Sequence, residues 1–80
     1  MRIQHLRWQC RRGRRELDLI LTRYLEGPFS TASPDEQEAF EKLLERPDPV
    51  LWNWLFLEEP AALDPAGKRV LAELKVFRGG

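Results

Sequence analysis

The chain has 80 residues and a formal net charge of zero at pH 7. A chain of this length forms one small domain and buries only about 60% of the surface that its unfolded form exposes, which leaves little room for an enclosed substrate cavity. The charge is uneven: residues 1–25 carry seven arginines against Glu16 and Asp18, whereas residues 26–80 carry six basic residues against eleven acids. This polarity predicts a charged partner for the first third of the chain.

Cysteine usage and hydropathy indicate the compartment. Cys10 is the only cysteine, so no disulfide can form within the chain, and a reducing compartment is expected. The most apolar run, VLWNWLFL, has eight residues and is too short to cross a membrane. Residues near the N-terminus include Arg2 and Arg7 but no apolar run of the length of a secretory signal. We therefore predict a soluble, cytoplasmic protein. It is further expected to be a monomer with a single domain over residues 1–80.

The first third of the chain predicts two helices. A helix over residues 2–10 turns Ile3, Leu6 and Cys10 inward, and Gly13 ends this segment. A second helix covers residues 14–26. Its apolar stripe consists of Leu17, Ile20, Leu21, Tyr24 and Leu25. The segment EGPFSTAS that follows is predicted to be the longest loop.

Three further helices begin at a capping residue followed by proline: Ser33-Pro34, Asp48-Pro49 and Asp64-Pro65. Ser or Asp at the N-cap accepts hydrogen bonds from unpaired amides, and proline at the first helical position needs no donor. Glu36 completes a capping box with Ser33. The helices cover residues 34–45, 49–57 and 65–77, and no segment alternates long enough to predict a strand. The fold class is all-α, a single small five-helix bundle.

Catalytic and metal chemistry lack the residues that they need. His5 and Cys10 together supply too few ligands for zinc, and a cysteine nucleophile requires a base and an orienting group. Cys10 lies beside arginines that lower a thiol pKa, but a small buried apolar residue is the favoured interpretation. We predict that the protein is not an enzyme, has no catalytic residue and no metal site, and holds no cofactor of its own.

The segment CRRGRRELD, residues 10–18, is the most distinctive part of the chain. Its arginines are consistent with phosphate contacts to a nucleic acid, and Gly13 with a phosphate-binding turn at a helix start. They are also consistent with a protein-docking surface, since glycine allows a close backbone approach and arginine binds carboxylates. A solvated turn, with Glu16 and Asp18 favourably placed in the first helical turns, is the simplest alternative.

Two tryptophans favour an interface. Trp8 lies about 200° around the helix from Leu6, on the outer side near the arginines. Trp52 is likewise displaced from the stripe formed by Leu51, Trp54 and Leu55. Exposed tryptophan beside arginine is typical of binding hot spots.

Two stretches of the chain resemble a known family. WQCRRGRRELDLIL resembles the signature of the FAD assembly factor of succinate dehydrogenase, whose Arg-Gly-x-x-Glu motif is matched by Arg12, Gly13 and Glu16. SPDEQEAFEKLLERPDPVLWNWL resembles the second landmark of that family, an acid-capped helix followed by Asp-Pro and an aromatic-Asn-Trp-Leu. The similarity covers about residues 2–57 and follows the helix order to the end.

The resemblance implies a five-helix fold and a specific partner. That partner is the flavoprotein subunit of succinate dehydrogenase, or of the related fumarate reductase. The protein would act as a chaperone that promotes covalent attachment of the partner's FAD, without nucleic acid or membrane. The expected partner-binding residues are Trp8, Arg11, Arg12, Gly13, Glu16 and Asp18. The alternative function is a small nucleic-acid-binding or antitoxin module that uses the arginine cluster.

Overall fold

The apolar stripes and helix starts of the sequence become helices in the structure, a computed structural model that describes residues 2–58, 60 and 62–78. The helices are α1 (Arg2–Gln9), α2 (Arg15–Glu26), α3 (Pro28–Thr31), α4 (Pro34–Leu43), α5 (Asp48–Phe56) and α6 (Pro65–Val76). Five of them have eight residues or more, and α3 is a single turn of four. The structure contains no β-strand within residues 2–58, 60 and 62–78. The prediction of an all-α, five-helix fold is confirmed.

Helix α2 lies at the centre of the fold and contacts α1, α3, α5 and α6, while α4 packs chiefly against α6. The inward-facing apolar stripe of α2 is fully buried, as the 3.6-residue periodicity predicts. The buried apolar residues of α2 are Leu17, Ile20, Leu21, Tyr24 and Leu25. Leu6 and Cys10 cover one side of this core, and Leu51 and Leu55 of α5 are completely buried against it.

The short helix α3 lies in the segment EGPFSTAS, for which the sequence pattern predicts a loop. Pro28 begins it, because the fixed φ of proline suits the first helical position. Phe29 is 4% exposed, and its ring centre lies 6.4 Å from that of Tyr24 and 5.6 Å from that of Phe40. Burial of this one aromatic side chain therefore holds a turn that has too few residues to be stable alone.

Two of the three predicted N-caps are confirmed. Ser33 accepts a hydrogen bond from the Glu36 amide at 3.2 Å, and the Glu36 carboxylate accepts one from the Ser33 amide at 3.3 Å. The Asp64 carboxylate accepts a hydrogen bond from the Gly67 amide at 2.8 Å. The prediction for Asp48 is wrong: Pro47 is the N-cap of α5, and no side chain caps this helix. The Asp48 carboxylate instead binds residues of another segment.

Helix α1 is less amphipathic than the sequence indicated. Leu6 is 3% exposed and Cys10 is completely buried, as predicted, but Ile3 is 45% exposed. The prediction that Ile3 points inward is wrong, because only the C-terminal part of this eight-residue helix lies against the core. In the residues that the structure describes, no helix is both long and apolar enough to cross a membrane.

Candidate functional site

The turn between α1 and α2 is fastened to the connection between α4 and α5 by the side chain of Arg12. Its guanidinium donates hydrogen bonds to the main-chain oxygens of Gln9 at 3.0 Å, of Arg46 at 2.9 Å, and of Leu44. The last two carbonyls follow the end of α4, where a helix leaves acceptors unpaired and a cation is favoured. Only 13% of the Arg12 side chain is exposed. Arg12 is thus committed to contacts within the molecule.

Asp48 completes this attachment. One oxygen of its carboxylate lies 3.3 Å from the Arg12 guanidinium, and the other accepts a hydrogen bond from the Gly13 amide at 3.3 Å. The neighbouring amide, that of Arg12, donates to the carboxylate of Asp18. Two successive amides of the turn are therefore bound by carboxylates of the same chain. A phosphate at this turn would have to displace Asp48, which disfavours the phosphate-binding alternative.

Gly13 is exposed at the outer side of this turn. Its φ lies outside the left-handed region, so its conformation is open to any residue. A Cβ atom added here would meet one neighbour within 4 Å, an oxygen of Asp48 at 4.0 Å, which is ordinary van der Waals contact. The fold therefore does not need a glycine at this position.

Exposed side chains of mixed character lie near Gly13 in sequence. Arg11 and Glu16 are exposed, and Trp8 is 70% exposed. Within the part of the chain that the structure describes, no hydrogen bond or ion pair involves the Glu16 carboxylate. The six predicted partner-binding residues thus divide into two groups. Trp8, Arg11, Gly13 and Glu16 face outward, whereas Arg12 and Asp18 are partly buried and hold the turn.

The site is a surface and not a cavity. A groove of about 430 Å³ lies between α4 and the start of α6, and its lining includes Trp54, Leu63 and Arg69. None of the predicted partner-binding residues lines that groove. No cluster of three metal-binding side chains is found among the residues that the structure describes.

The thiol of Cys10 is buried directly behind the turn. Burial raises its pKa from 9.0 to about 11, against the smaller opposing influence of Arg12 and Arg7. At neutral pH the side chain is therefore a protonated thiol, which is a weak nucleophile. The interpretation of Cys10 as a small buried apolar residue is confirmed.

Comparison with known proteins identifies the family. A family model described as flavinator of succinate dehydrogenase matches residues 4–78. The chain belongs to this family.

Several curated proteins named FAD assembly factor SdhE are similar to this flavinator-family chain. That of Methylococcus capsulatus is 41% identical over 75 residues, which are 92% of this chain and 88% of that protein. That of Coxiella burnetii is 48% identical over 50 residues, 62% of this chain and 61% of that protein. That of Yersinia pestis is 46% identical over 50 residues, 62% of this chain and 57% of that protein. The last two matches span less than two thirds of those relatives. No solved structure shows significant similarity.

Sequence reasoning missed two features of the site in this family member. Asp48 was interpreted as a helix cap, and its contact with Arg12 and Gly13 was not foreseen. The guanidinium of Arg14 lies 4.9 Å from the ring centre of Trp52, whose ring is 4.3 Å from that of Phe56. The spacing of Trp52 and Phe56 by four residues on one helix was the available signal for this stack. Both features connect the α1–α2 turn to α5.

Proposed function

We propose that this protein binds the flavoprotein subunit of succinate dehydrogenase, or of the related fumarate reductase, and promotes covalent attachment of its FAD. Membership of the flavinator family supports this assignment, as do relatives named FAD assembly factors. The FAD belongs to the partner, and the chain contributes no cofactor. A monomer and a cytoplasmic location stay predictions from the sequence.

The observation that carries the proposal is the environment of Gly13. Glycine at a position with ordinary φ and open space around it gains nothing for the fold and costs conformational entropy. A requirement from outside the molecule explains its presence, since the lack of a side chain lets another protein's backbone approach closely. Arg11 and Glu16, both exposed beside it, offer charges of opposite sign. Such a surface suits a protein partner with both signs better than a polyphosphate.

The proposed mechanism is catalysis by positioning. Holding the flavin and the residue that attacks it in line lowers the barrier without supplying a reacting atom. The protonated, buried thiol of Cys10 supports a role in which the chain donates no nucleophile. In this mechanism Trp8, Arg11, Gly13 and Glu16 contact the flavoprotein, while Arg12 and Asp18 shape the turn that presents them.

The test varies the size of the side chain at position 13. Gly13→Ala and Gly13→Arg should both leave the free energy of unfolding within about 0.5 kcal/mol of wild type, because the site is exposed. Gly13→Arg should nearly abolish covalent flavin on a co-expressed flavoprotein subunit. Gly13→Ala should have an intermediate effect. Glu16→Ala should weaken binding of the flavoprotein subunit by about 2 kcal/mol, the cost typical of removing a hot-spot side chain.

The matched control is Glu38→Ala, which removes an exposed acid from α4, outside the turn. It should change neither the thermal midpoint nor the covalent flavin content. Full flavinylation with Gly13→Arg would refute the proposal. A thermal midpoint that collapses with Gly13→Ala would return the glycine to a structural role.

A further inference from the structure

We propose that Asp48 is a positioning residue for docking: its carboxylate fixes the main chain at Gly13, so that the turn is presented in one conformation. This inference rests on the proposed function, since the turn is its contact surface. Asp48 lies on α5, 35 residues from Gly13 in sequence. It is not among the residues predicted from the sequence to bind the partner.

The Asp48 carboxylate contacts the turn through both of its oxygens. Each of its two oxygens binds a different residue of the turn, the guanidinium of Arg12 and the amide of Gly13, both at 3.3 Å. The Asp48 side chain is 26% exposed, so most of its surface is shielded from solvent. The carboxylate therefore bridges the Arg12 guanidinium and the main chain at Gly13.

Asp48 does not serve its own helix through a hydrogen bond. It stands at the first position of α5, but no side chain caps that helix. Its two acceptors are used on the α1–α2 turn instead, and the N-terminus of α5 only favours the negative charge. The side chain therefore acts between elements.

The contacts of Asp48 are separable from those that attach the turn to the rest of the fold. If Asp48 is removed, Arg12 still donates to the carbonyls of Gln9, Leu44 and Arg46, so the turn stays attached to the α4–α5 connection. The Gly13 amide, in contrast, has no other hydrogen-bond acceptor among the described residues. Loss of Asp48 should therefore free the main chain at the point where the partner approaches, while most of the fold persists.

The experiment compares Asp48→Ala with Asp64→Ala. Both remove an aspartate beside a helix N-terminus, but Asp64 accepts from Gly67 and does not touch the turn. Affinity for the purified flavoprotein subunit is measured by calorimetry, at a temperature where every variant is folded. Hydrogen exchange of the Gly13 amide is followed by NMR. Asp48→Ala should weaken binding about tenfold and accelerate exchange at Gly13, as expected when a contact surface is misplaced. Asp64→Ala should do neither, although it loses a cap.

Asp48→Asn is the second variant and serves if Asp48→Ala does not fold. Its amide keeps one acceptor oxygen but presents a donor to the other partner, so one of the two bonds is lost. An intermediate loss of affinity is expected. Wild-type affinity in both Asp48 variants, with binding lost in Glu16→Ala, would overturn the inference alone. Equal weakening by Asp48→Ala and Asp64→Ala would also overturn it. Failure of the wild-type protein to bind the flavoprotein would instead overturn the proposed function.

Discussion

The three residues of the Arg-Gly-x-x-Glu motif are close in sequence but have different structural roles. Arg12 is directed inward and binds three main-chain oxygens and Asp48, whereas Gly13 and Glu16 are exposed. A partly buried guanidinium needs its donors satisfied, and the segment that follows α4 supplies two of the acceptors, the carbonyls of Leu44 and Arg46. The arginine therefore builds the surface, and its neighbours are available to a partner.

Cys10 gives a prediction at the scale of one residue. Its pKa is raised to about 11 because the thiolate would be buried away from water. Labelling of the folded protein with a thiol reagent at pH 8 should therefore be at least about a hundredfold slower than labelling of the unfolded chain. Labelling at equal rates would contradict the burial of this side chain.

The same shift predicts a pH dependence of stability. The folded state binds the thiol proton more tightly than the unfolded state, so the stabilisation is complete below about pH 9 and is lost as the pH rises toward about 11. Wild type should lose stability relative to Cys10→Ala over this interval in urea titrations. Tyr24, whose pKa is raised to about 12 chiefly by burial, is common to both proteins and cancels in the comparison. Parallel stability curves would contradict the prediction.

At the scale of elements, the N-termini of α4 and α6 link helices as well as cap them. Glu36 completes the capping box of α4 and also accepts a hydrogen bond from Arg69 of α6 at 2.6 Å. That bond, together with the bond from the Ser33 amide, lowers the pKa of the Glu36 carboxyl. This contribution to stability is present at neutral pH and is lost as the pH falls through the lowered pKa.

Gly67, in the first turn of α6, stands where an added side chain would crowd its neighbours. A Cβ atom there would lie 2.8 Å from an oxygen of Asp64 and 2.9 Å from Cγ of Leu63. Gly67→Ala should lower the free energy of unfolding by about 1–3 kcal/mol, because overpacking and a disturbed cap outweigh the gain in helix propensity. Lys68→Ala, at the next and exposed position, should change it by less than about 0.5 kcal/mol. Denaturant unfolding measures both, and an unchanged Gly67→Ala would show that Leu63 moves aside freely.

At the scale of the whole molecule, the excess of positive charge in the first third of the sequence is reduced on the surface around Gly13. The structure removes Arg12 from the arginine cluster by pairing it with Asp48, and Arg14 lies over the ring of Trp52. The surface around Gly13 thus carries fewer free cations than the sequence suggests, and Glu16 adds an anion.

This arrangement predicts weak binding to nucleic acid. Titration of a short DNA duplex at about 150 mM salt should show no saturable binding, because phosphate contacts need several free cations. Binding to the flavoprotein subunit should depend only mildly on salt. A steep loss of DNA affinity between about 50 and 200 mM salt would favour the alternative of a nucleic-acid-binding module.

The sequence by itself determined the five longer helices, to within two residues at each end, and the buried stripe of α2. Capping, proline at a helix start and 3.6-residue periodicity act over a few neighbouring residues, so they can be read locally. Trp8 was correctly placed outside and Cys10 inside for the same reason. Ile3 was misplaced because periodicity does not tell where a neighbouring helix ends.

Only the tertiary structure determined the role of each residue in the α1–α2 turn. Arg12 meets Asp48 across 36 positions of sequence, and the Leu44 carbonyl across 32. Such contacts depend on how α2, α4 and α5 are packed, so no local pattern shows that one arginine of four points inward. The same packing gave Asp48 a partner outside its own helix and left Gly13 open to an approaching backbone. Local chemistry determined where the helices form, and the packing of those helices determined which side chains of the α1–α2 turn face outward.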